Sequence, residues 1–352
     1  MSTPEPPGVT ADSPLISRRV VMIGTIVGVP LSLLFLWLAV RGVDFHAVTD
    51  ALSQARVGLV VVGVIAMAVV YVVQAQRWRY IARRDGTAPL PVFTAMVVGS
   101  IAINDVVPGR PGEVVRAYWL SRRTGIAGAR ALATVIVDRA SDVIALVVIL
   151  VITLPFVEHP AWLQTIVYVM LAVAVALVVV MAAAWWYTHK SATGRARGVS
   201  GTVVRRRLRH HVSGIVRGAA SIVTARDAMV VAGLSGLAWL AWAGGAWAIA
   251  SSLGIAQSAT DILFVAAVLN LGVAIPSSPG FVGTYQWLAV AAMGLTGVSR
   301  DNAFAFSVLM QATWLIPTIV AGIGLIAYAG IRGIDVRTLT RRSTGTKETH
   351  AP

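Results

Sequence analysis

The chain has 352 residues, of which 57% are hydrophobic and only 12% are charged, and its mean hydropathy is +0.77. A soluble domain has about 25% charged residues, so this composition excludes a soluble protein and predicts an all-α membrane protein, because the short strands of alternating polarity found in membrane barrels are absent. The net charge of +14 is better explained by cytoplasmic loops that face anionic lipid than by binding of nucleic acid.

The first part of the chain predicts a tail, two membrane-spanning helices and a short helix between them. Residues 1–17 are rich in Pro, Ser and Thr, so we expect a disordered tail. The apolar run at about 20–40 exceeds the core of a signal peptide, about 7–15 residues, and predicts a first spanning helix. Residues 44–56 place apolar side chains three and four apart, which predicts a short interfacial helix. Residues 59–81 predict a second span that ends in a basic segment.

Four further full spans are predicted in the rest of an expected transmembrane domain, residues 18–335. They lie at about 129–154, 163–187, 228–251 and 303–331. The loop at 188–227 holds nine Lys and Arg against one acid. We interpret it as a marker of cytoplasmic orientation that attracts anionic lipid. Residues 336–352 form a second basic tail, which we expect to be disordered.

Two apolar stretches, at about 91–103 and 261–275, are too short to cross a bilayer core, which takes roughly 20 helical residues. The basic segments can all be cytoplasmic only if residues 91–121 enter from the cytoplasm and return there. Residues 260–296 must then enter from outside and return there. The prediction is six full spans, two opposed re-entrant helical hairpins and two cytoplasmic termini. The sequence does not decide whether the hairpin arms are half-helices or longer, tilted helices.

The breaks in the two hairpins resemble each other. VVPGRPGEVVRAYW at 106–119 aligns without a gap with AIPSSPGFVGTYQW at 274–287, and five residues coincide. This predicts an inverted repeat, with halves at about 58–187 and 228–331, a construction that recurs in transporters. Pro and Gly end a helix within the bilayer. A helix that begins after Pro111 would point its N-terminus, which attracts anions, into the interior.

Five charged residues lie near the first break, where hydrocarbon would surround them. Glu113 and Arg116 are three residues apart, Arg139 and Asp142 repeat that spacing, and Asp138 lies four before Asp142. Each charge would cost about 2.5–3.5 kcal/mol at the centre of a span, so we expect them to face inward and pair. Two interpretations stay open: an ion-pair network that locks the helices, or a polar cavity for an anionic headgroup.

Three polar residues of the break itself also have two interpretations. Arg110 either binds a headgroup or extends to the cytoplasmic interface. Asn104 and Asp105 either contribute to a binding site or cap the break.

Residues for several kinds of chemistry are missing. The chain has no Cys, which excludes disulfides and thiol nucleophiles. The six His residues show no metal-ligand pattern, and no phosphate-binding loop, serine-hydrolase or zinc-protease motif occurs. We therefore expect a protein that is not an enzyme and that uses no metal or cofactor.

At the residues of the two breaks the sequence resembles a known family, the membrane domain of lysylphosphatidylglycerol synthases and its stand-alone flippase-like relatives. The resemblance covers nearly the whole chain and rests on three patterns. They comprise Asn104, Pro108, Arg110, Gly112, Glu113 and Arg116, then Arg139 and Asp142, and finally Pro276, Pro279, Gly280 and Gly283. The chain departs from the family at Gln286, where Glu is usual, and at Gln311, where Arg is common. If these two positions are partners, losing both charges leaves the net charge unchanged.

The resemblance implies movement of lipids across a membrane. The candidate substrate-binding residues are Asn104, Arg110, Gly112, Glu113, Arg116, Asp138, Arg139, Asp142, Pro276, Pro279, Gly280, Gly283, Gln286 and Gln311. We expect a translocase for an anionic phospholipid or polyprenyl-phosphate lipid in the cytoplasmic membrane, with Arg116 and Arg139 binding the phosphate. One alternative is a non-catalytic subunit that supports a glycosyltransferase or a lipid-modifying enzyme as its partner. The other is a membrane polyprenyl-phosphate transferase.

Overall fold

The computed structural model describes residues 18–193 and 224–331 of the chain, and these residues form eleven α-helices and two short 3-10 turns, with no strand among them. The helices are α1 Arg18–Val40, α2 Phe45–Ser53, α3 Val57–Ala82, α4 Leu90–Val106, α5 Gly112–Thr124, α6 Gly128–Thr153, α7 Ala161–Thr193, α8 Ala225–Ser252, α9 Ala259–Gly272, α10 Thr284–Leu295 and α11 Arg300–Ile331. The predicted all-α class is confirmed. The two predicted tails and most of the basic loop lie outside the described residues.

The six predicted spans correspond to continuous helices: α1, α3, α6, α7, α8 and α11. Among the described residues, four helices are long and apolar enough to cross a membrane, within α3, α7, α8 and α11. The pair α1 and α2, bent by 86° at the break between them, would make a fifth span. Helix α6 has 26 residues, as many as α3, but carries charged residues in its interior. It therefore needs partners inside the protein for those charges.

Four short helices form two broken hairpins. The first hairpin comprises α4, the break at 107–111 and α5; the second comprises α9, the break at 273–283 and α10. The four arms have 17, 13, 14 and 12 residues. At 1.5 Å per residue they are about 18–26 Å long, less than the bilayer core of about 30 Å. The arms are therefore half-helices and not longer tilted spans.

The two breaks differ in length, which the sequence alignment did not predict. Helix α5 begins at Gly112, directly after Pro111, as expected. In the second break the matching residue, Gly280, lies inside a 3-10 turn, and α10 begins four residues later at Thr284.

Contacts between loops define one end of the molecule, called here the basic end. Arg130 pairs with Asp85 at 3.1 Å, which joins the α5–α6 connection to the α3–α4 loop. Arg83 pairs with Asp227 at 2.5 Å, which joins the end of α3 to the start of α8. The first hairpin therefore has both of its outer ends at the basic end.

A second set of contacts defines the opposite end. The amide of Arg56 donates to the carbonyl of Ser252 at 3.0 Å, which joins the start of α3 to the end of α8. The hydroxyl of Thr296 lies 2.8 Å from Oε1 of Gln257, which joins the two outer ends of the second hairpin. The hairpins thus open towards opposite ends of the helix bundle. This arrangement agrees with opposed hairpins, and their re-entry into a membrane stays a prediction.

The inner ends of the hairpins lie beside α1 and against the α3–α8 pair, the most extensive helix contact in the described chain. On α1, Ser32 accepts a hydrogen bond from the amide of Ser278 in the second break at 2.7 Å. On α3, Arg77 donates to the hydroxyl of Ser235 on α8 at 2.9 Å. The packing of α3 thereby places a positive charge in the interior, next to α6.

Candidate substrate site

Six charged side chains form one ion-pair cluster where α3, α5 and α6 meet. They are Arg77, Glu113, Arg116, Asp138, Arg139 and Asp142. Asp138 lies at the centre and accepts hydrogen bonds from Arg77 Nε and Arg116 Nη2, each at 2.9 Å. Asp142 accepts from Arg77 Nη1 at 2.7 Å. Three arginines face three carboxylates, so the cluster is balanced in charge.

Arg77 is the residue of this cluster that the sequence analysis missed. The sequence analysis treated it only as part of the basic segment that ends the second span, whereas its side chain is fully buried. A signal was present in the sequence. The buried residues Met67, Val70, Gln74, Arg77 and Ile81 follow one another at spacings of three and four, which puts Arg77 on the inner face of α3.

Arg116 is also fully buried and already bound. Besides Asp138, it pairs with Glu113 at 2.9 Å through Nε, and its guanidinium lies over the ring of Trp78 at 4.7 Å. A headgroup could reach Arg116 only if these neighbours moved. Arg116 therefore has a structural role within the cluster.

Arg139 and Glu113 are the partly exposed members of the cluster. Their side chains are 39% and 32% exposed, and the Nε–Oε1 distance between them is 3.6 Å. Arg139 lies 3.4 Å from both Asp138 and Asp142, so its ion pairs are longer than those of Arg77. Val114, which follows Glu113 in the chain, and Ile136, three residues before Arg139, expose apolar side chains. The pair therefore opens to an apolar exterior, from which a lipid headgroup could approach.

Asn104 and Gly112, which flank the first break, determine its shape. Asn104 Oδ1 accepts a hydrogen bond from the amide of Gly112 at 2.7 Å, so Asn104 caps α5. A Cβ on Gly112 would lie 2.1 Å from the carbonyl oxygen of Ser100, so no larger residue fits there. The expected anion site at the N-terminus of α5 already has one of its amides occupied by Asn104.

Arg110 neither joins the ion-pair cluster nor extends to the cytoplasmic interface. Its Nη2 donates to the carbonyl of Val273 and, at 3.4 Å, to that of Ile275. Its guanidinium lies over the ring of Phe281, 4.5 Å from the centroid. Arg110 thus connects the first hairpin to the second. The contacts of Arg110 with Val273, Ile275 and Phe281 are called the hairpin link below.

Gln286 and Gln311 hold the second break together. Gln286 accepts a hydrogen bond from the amide of Gly283 at 2.7 Å and donates to Gln311. Gln311 donates to the carbonyl of Gly280 at 2.6 Å. Both glutamines are buried, and the two glycines have φ values of 66° and 91°, which favour glycine. The two amides are direct partners, as the sequence suggested for an exchanged charge pair.

The substrate-binding residues predicted from sequence therefore fall into three groups. Glu113, Arg116, Asp138, Arg139 and Asp142 come together in the ion-pair cluster. Asn104, Arg110 and Gly112 hold the first break or join it to the second hairpin.

The third group belongs to the second break. Pro276, Pro279, Gly280 and Gly283 lie within this break, and Gln286 and Gln311 hydrogen-bond to its two glycines.

Comparison with known proteins places this arrangement in a family. The model of the family described as "Lysylphosphatidylglycerol synthase TM region" matches residues 22–322. A similar relative is the "UPF0104 membrane protein" of Methanothermobacter thermautotrophicus, which is 22% identical over 294 residues. The alignment covers 74% of this chain and 81% of the relative. Both hairpins and the whole ion-pair cluster lie within the matched region.

Proposed function

We propose that this chain, which belongs to the lysylphosphatidylglycerol synthase TM region family, moves a lipid with an anionic headgroup across a membrane. The observation that carries the proposal is Arg139: a cation that is 39% exposed, held by long ion pairs, beside the partly exposed Glu113 at the edge of the cluster. Family membership and apolar helices make the chain a multi-pass membrane protein. The cytoplasmic membrane and cytoplasmic termini belong to the proposal.

In this mechanism Arg139 binds the phosphate, and the phosphate displaces Glu113 from Arg139. The planar guanidinium can donate two parallel hydrogen bonds to a phosphate, which a lysine cannot do. Glu113 has the longest contact with Arg139 in the cluster. Glu113 is itself partly exposed, and Arg116, which loses Glu113 as a partner at 2.9 Å, keeps Asp138 at the same distance. Arg77, Arg116 and Asp138 stay in place and hold the helices that carry Arg139. No ATP-binding motif occurs, so a gradient or downhill movement supplies the energy.

The alternatives are less well supported by the geometry. A polyprenyl-phosphate transferase needs carboxylates that are free to bind a divalent metal. Asp138 and Asp142, the pair suggested for that role, both accept hydrogen bonds from Arg77. A subunit that supports a glycosyltransferase would need no exposed cation inside the bundle.

The test is movement of a fluorescent phosphatidylglycerol between leaflets of liposomes that contain the purified protein. We expect Arg139→Gln to slow the movement about 10- to 150-fold, because a hydrogen bond to a charged group contributes about 1.5–3 kcal/mol and about 1.4 kcal/mol is tenfold. Arg130→Gln is the matched control: Arg130 lies on the same helix, is 37% exposed and pairs with Asp85, far from the cluster. Equal rates for both variants, or no movement with the native protein, would overturn the proposal. Stimulation of a glycosyltransferase without lipid movement would favour the alternative of a non-catalytic subunit.

A further inference from the structure

We propose that Asp105 is a proton-binding site that controls the hairpin link. When Asp105 is protonated, Arg110 keeps its contacts with the second hairpin. When Asp105 is ionised, it attracts Arg110 and breaks those contacts. The ligand is H⁺, and the inference concerns the contact between hairpins, so it does not rest on lipid movement.

Asp105 lies where a negative charge is poorly stabilised. It is the second-last residue of α4 and is 4% exposed. The C-terminus of a helix carries a partial negative charge, which disfavours a carboxylate there. Its carbonyl lies beside Gly280 of the second break. The charged and titratable groups around Asp105 are Arg110 of the same hairpin and Tyr71 on α3. Tyr71 is also near Tyr285 on α10.

Helix α11 gives Asp105 one shared hydroxyl and no cation. Thr318 Oγ1 donates to Asp105 Oδ2 at 3.1 Å and also lies 2.7 Å from the carbonyl of Trp314 and 3.0 Å from that of Leu315. The hydroxyl has one hydrogen for these three acceptors. A buried carboxylate with one shared donor and no paired cation is poorly compensated, which favours the neutral acid. Within the described chain, no other side chain hydrogen-bonds or pairs with the carboxyl of Asp105.

Arg110 is the cation that an ionised Asp105 would attract. The two residues are five positions apart in the first hairpin, yet no ion pair between them occurs in the described structure, since Arg110 donates to the carbonyls of Val273 and Ile275. Arg110 and Phe281 are the described non-glycine residues with positive φ, 52° and 60°. Such backbone conformations persist only when surrounding contacts maintain them. Loss of the hairpin link would therefore release both breaks.

The direction of the pH effect follows from these contacts. At low pH Asp105 is neutral, Arg110 stays with the carbonyls, and the hairpins remain linked. At high pH the carboxylate competes for Arg110, and the inner ends of the hairpins separate.

The test measures the separation of the hairpins directly. The chain has no native cysteine, so spin labels can be attached to cysteines at Val106 and Val282, one on each hairpin and both exposed. In lipid nanodiscs we expect a short label distance at about pH 5 and a longer one at about pH 9, because desolvation favours the neutral carboxyl at the lower value and the carboxylate forms at the higher one. Asp105→Asn should keep the short distance at both values. Arg110→Gln should give the long distance at both, and Asp50→Asn, an exposed acid, should behave like the native residue.

Two further measurements keep the proposal testable if Asp105→Asn does not fold. Thr318→Val should move the midpoint of the distance change to higher pH, because the carboxylate loses the hydroxyl that donates to it. An unchanged midpoint would mean that Asp105 is not the group that titrates, and the proposal would fail. Infrared difference spectra should show a buried carboxylic-acid C=O band that disappears as the labels separate. A distance that does not change with pH, or an equal change in Asp105→Asn, would also overturn the inference.

Discussion

The partners of Arg139 allow its binding role to be separated from its structural role. Arg139→Gln combined with Glu113→Gln removes one positive and one negative charge from the exposed edge of the cluster. Sequence spacing alone would choose Asp142 as the partner to neutralise. The structure argues against that choice, because Asp142 is bound more closely by Arg77, at 2.7 Å, than by Arg139, at 3.4 Å. We expect the double variant to fold normally and to have lost lipid movement.

The magnitudes follow from burial. Ion pairs of partly exposed groups contribute about 0–1 kcal/mol, and the pairs of Arg139 are long and 39% exposed on its side. The double variant also weakens the 2.9 Å contact of Glu113 with the buried Arg116, so it should lose about 1–3 kcal/mol of unfolding free energy. Arg77→Gln leaves Asp138 and Asp142 buried with one cation fewer, which costs about 3–5 kcal/mol. The two effects differ enough to be ranked by thermal melting in detergent.

The assay is a melting curve measured beside phosphatidylglycerol movement in liposomes, on the same preparations. Melting above that of Arg77→Gln, with movement reduced to the level of Arg139→Gln alone, would assign Arg139 to the headgroup. Arg139→Lys should restore movement in part, since it keeps the charge without the bidentate fork. Full movement by the double variant would show that Arg139 serves structure only. Melting as low as that of Arg77→Gln would refute the argument from burial.

Three other changes test the remaining parts of the structure. Gln286→Glu alone should lower the melting temperature by placing an unpaired carboxylate beside Gly283, whereas the pair Gln286→Glu and Gln311→Arg should recover it, because these side chains are in contact. Asp227→Asn should cost about 1–3 kcal/mol of stability, measured by melting, and leave lipid movement unchanged, since Asp227 ties α3 to α8 at the basic end. Cysteines at Arg123 and Ala259, both exposed, should react with an impermeant maleimide from opposite sides of sealed vesicles; labelling from one side would contradict the opposed hairpins.

The helices and breaks could be predicted because they depend on local sequence. Apolar runs of spanning length gave the six long helices, and Pro with Gly gave the breaks, since both residues end helices wherever they occur. The start of α5 at Gly112 follows directly from Pro111. The second break was predicted less well, because its 3-10 turn depends on Gln311, which lies 31 residues after Gly280.

The partners within the site could not be predicted, because they lie far apart in the chain. Arg77 meets Asp138 across 61 residues of chain, and Arg110 meets Val273 across 163. A basic residue near the end of a span has an ordinary explanation in membrane orientation. Only the packing of α3 against α6 and α8 shows that Arg77 points inward while Arg83, six residues later, pairs at the basic end.

The charge balance of the cluster limits what kind of headgroup it can bind. Arg77, Arg116 and Arg139 are matched by Glu113, Asp138 and Asp142, so an added phosphate would leave one uncompensated negative charge. Two solutions exist: Glu113 takes up a proton or turns outward, or the headgroup brings a cation of its own that Glu113 can bind. Glu113→Gln distinguishes them. It should speed the movement of a purely anionic lipid, because a competitor for Arg139 is gone, and slow that of a headgroup that carries both a phosphate and an amine, because the partner of the amine is gone.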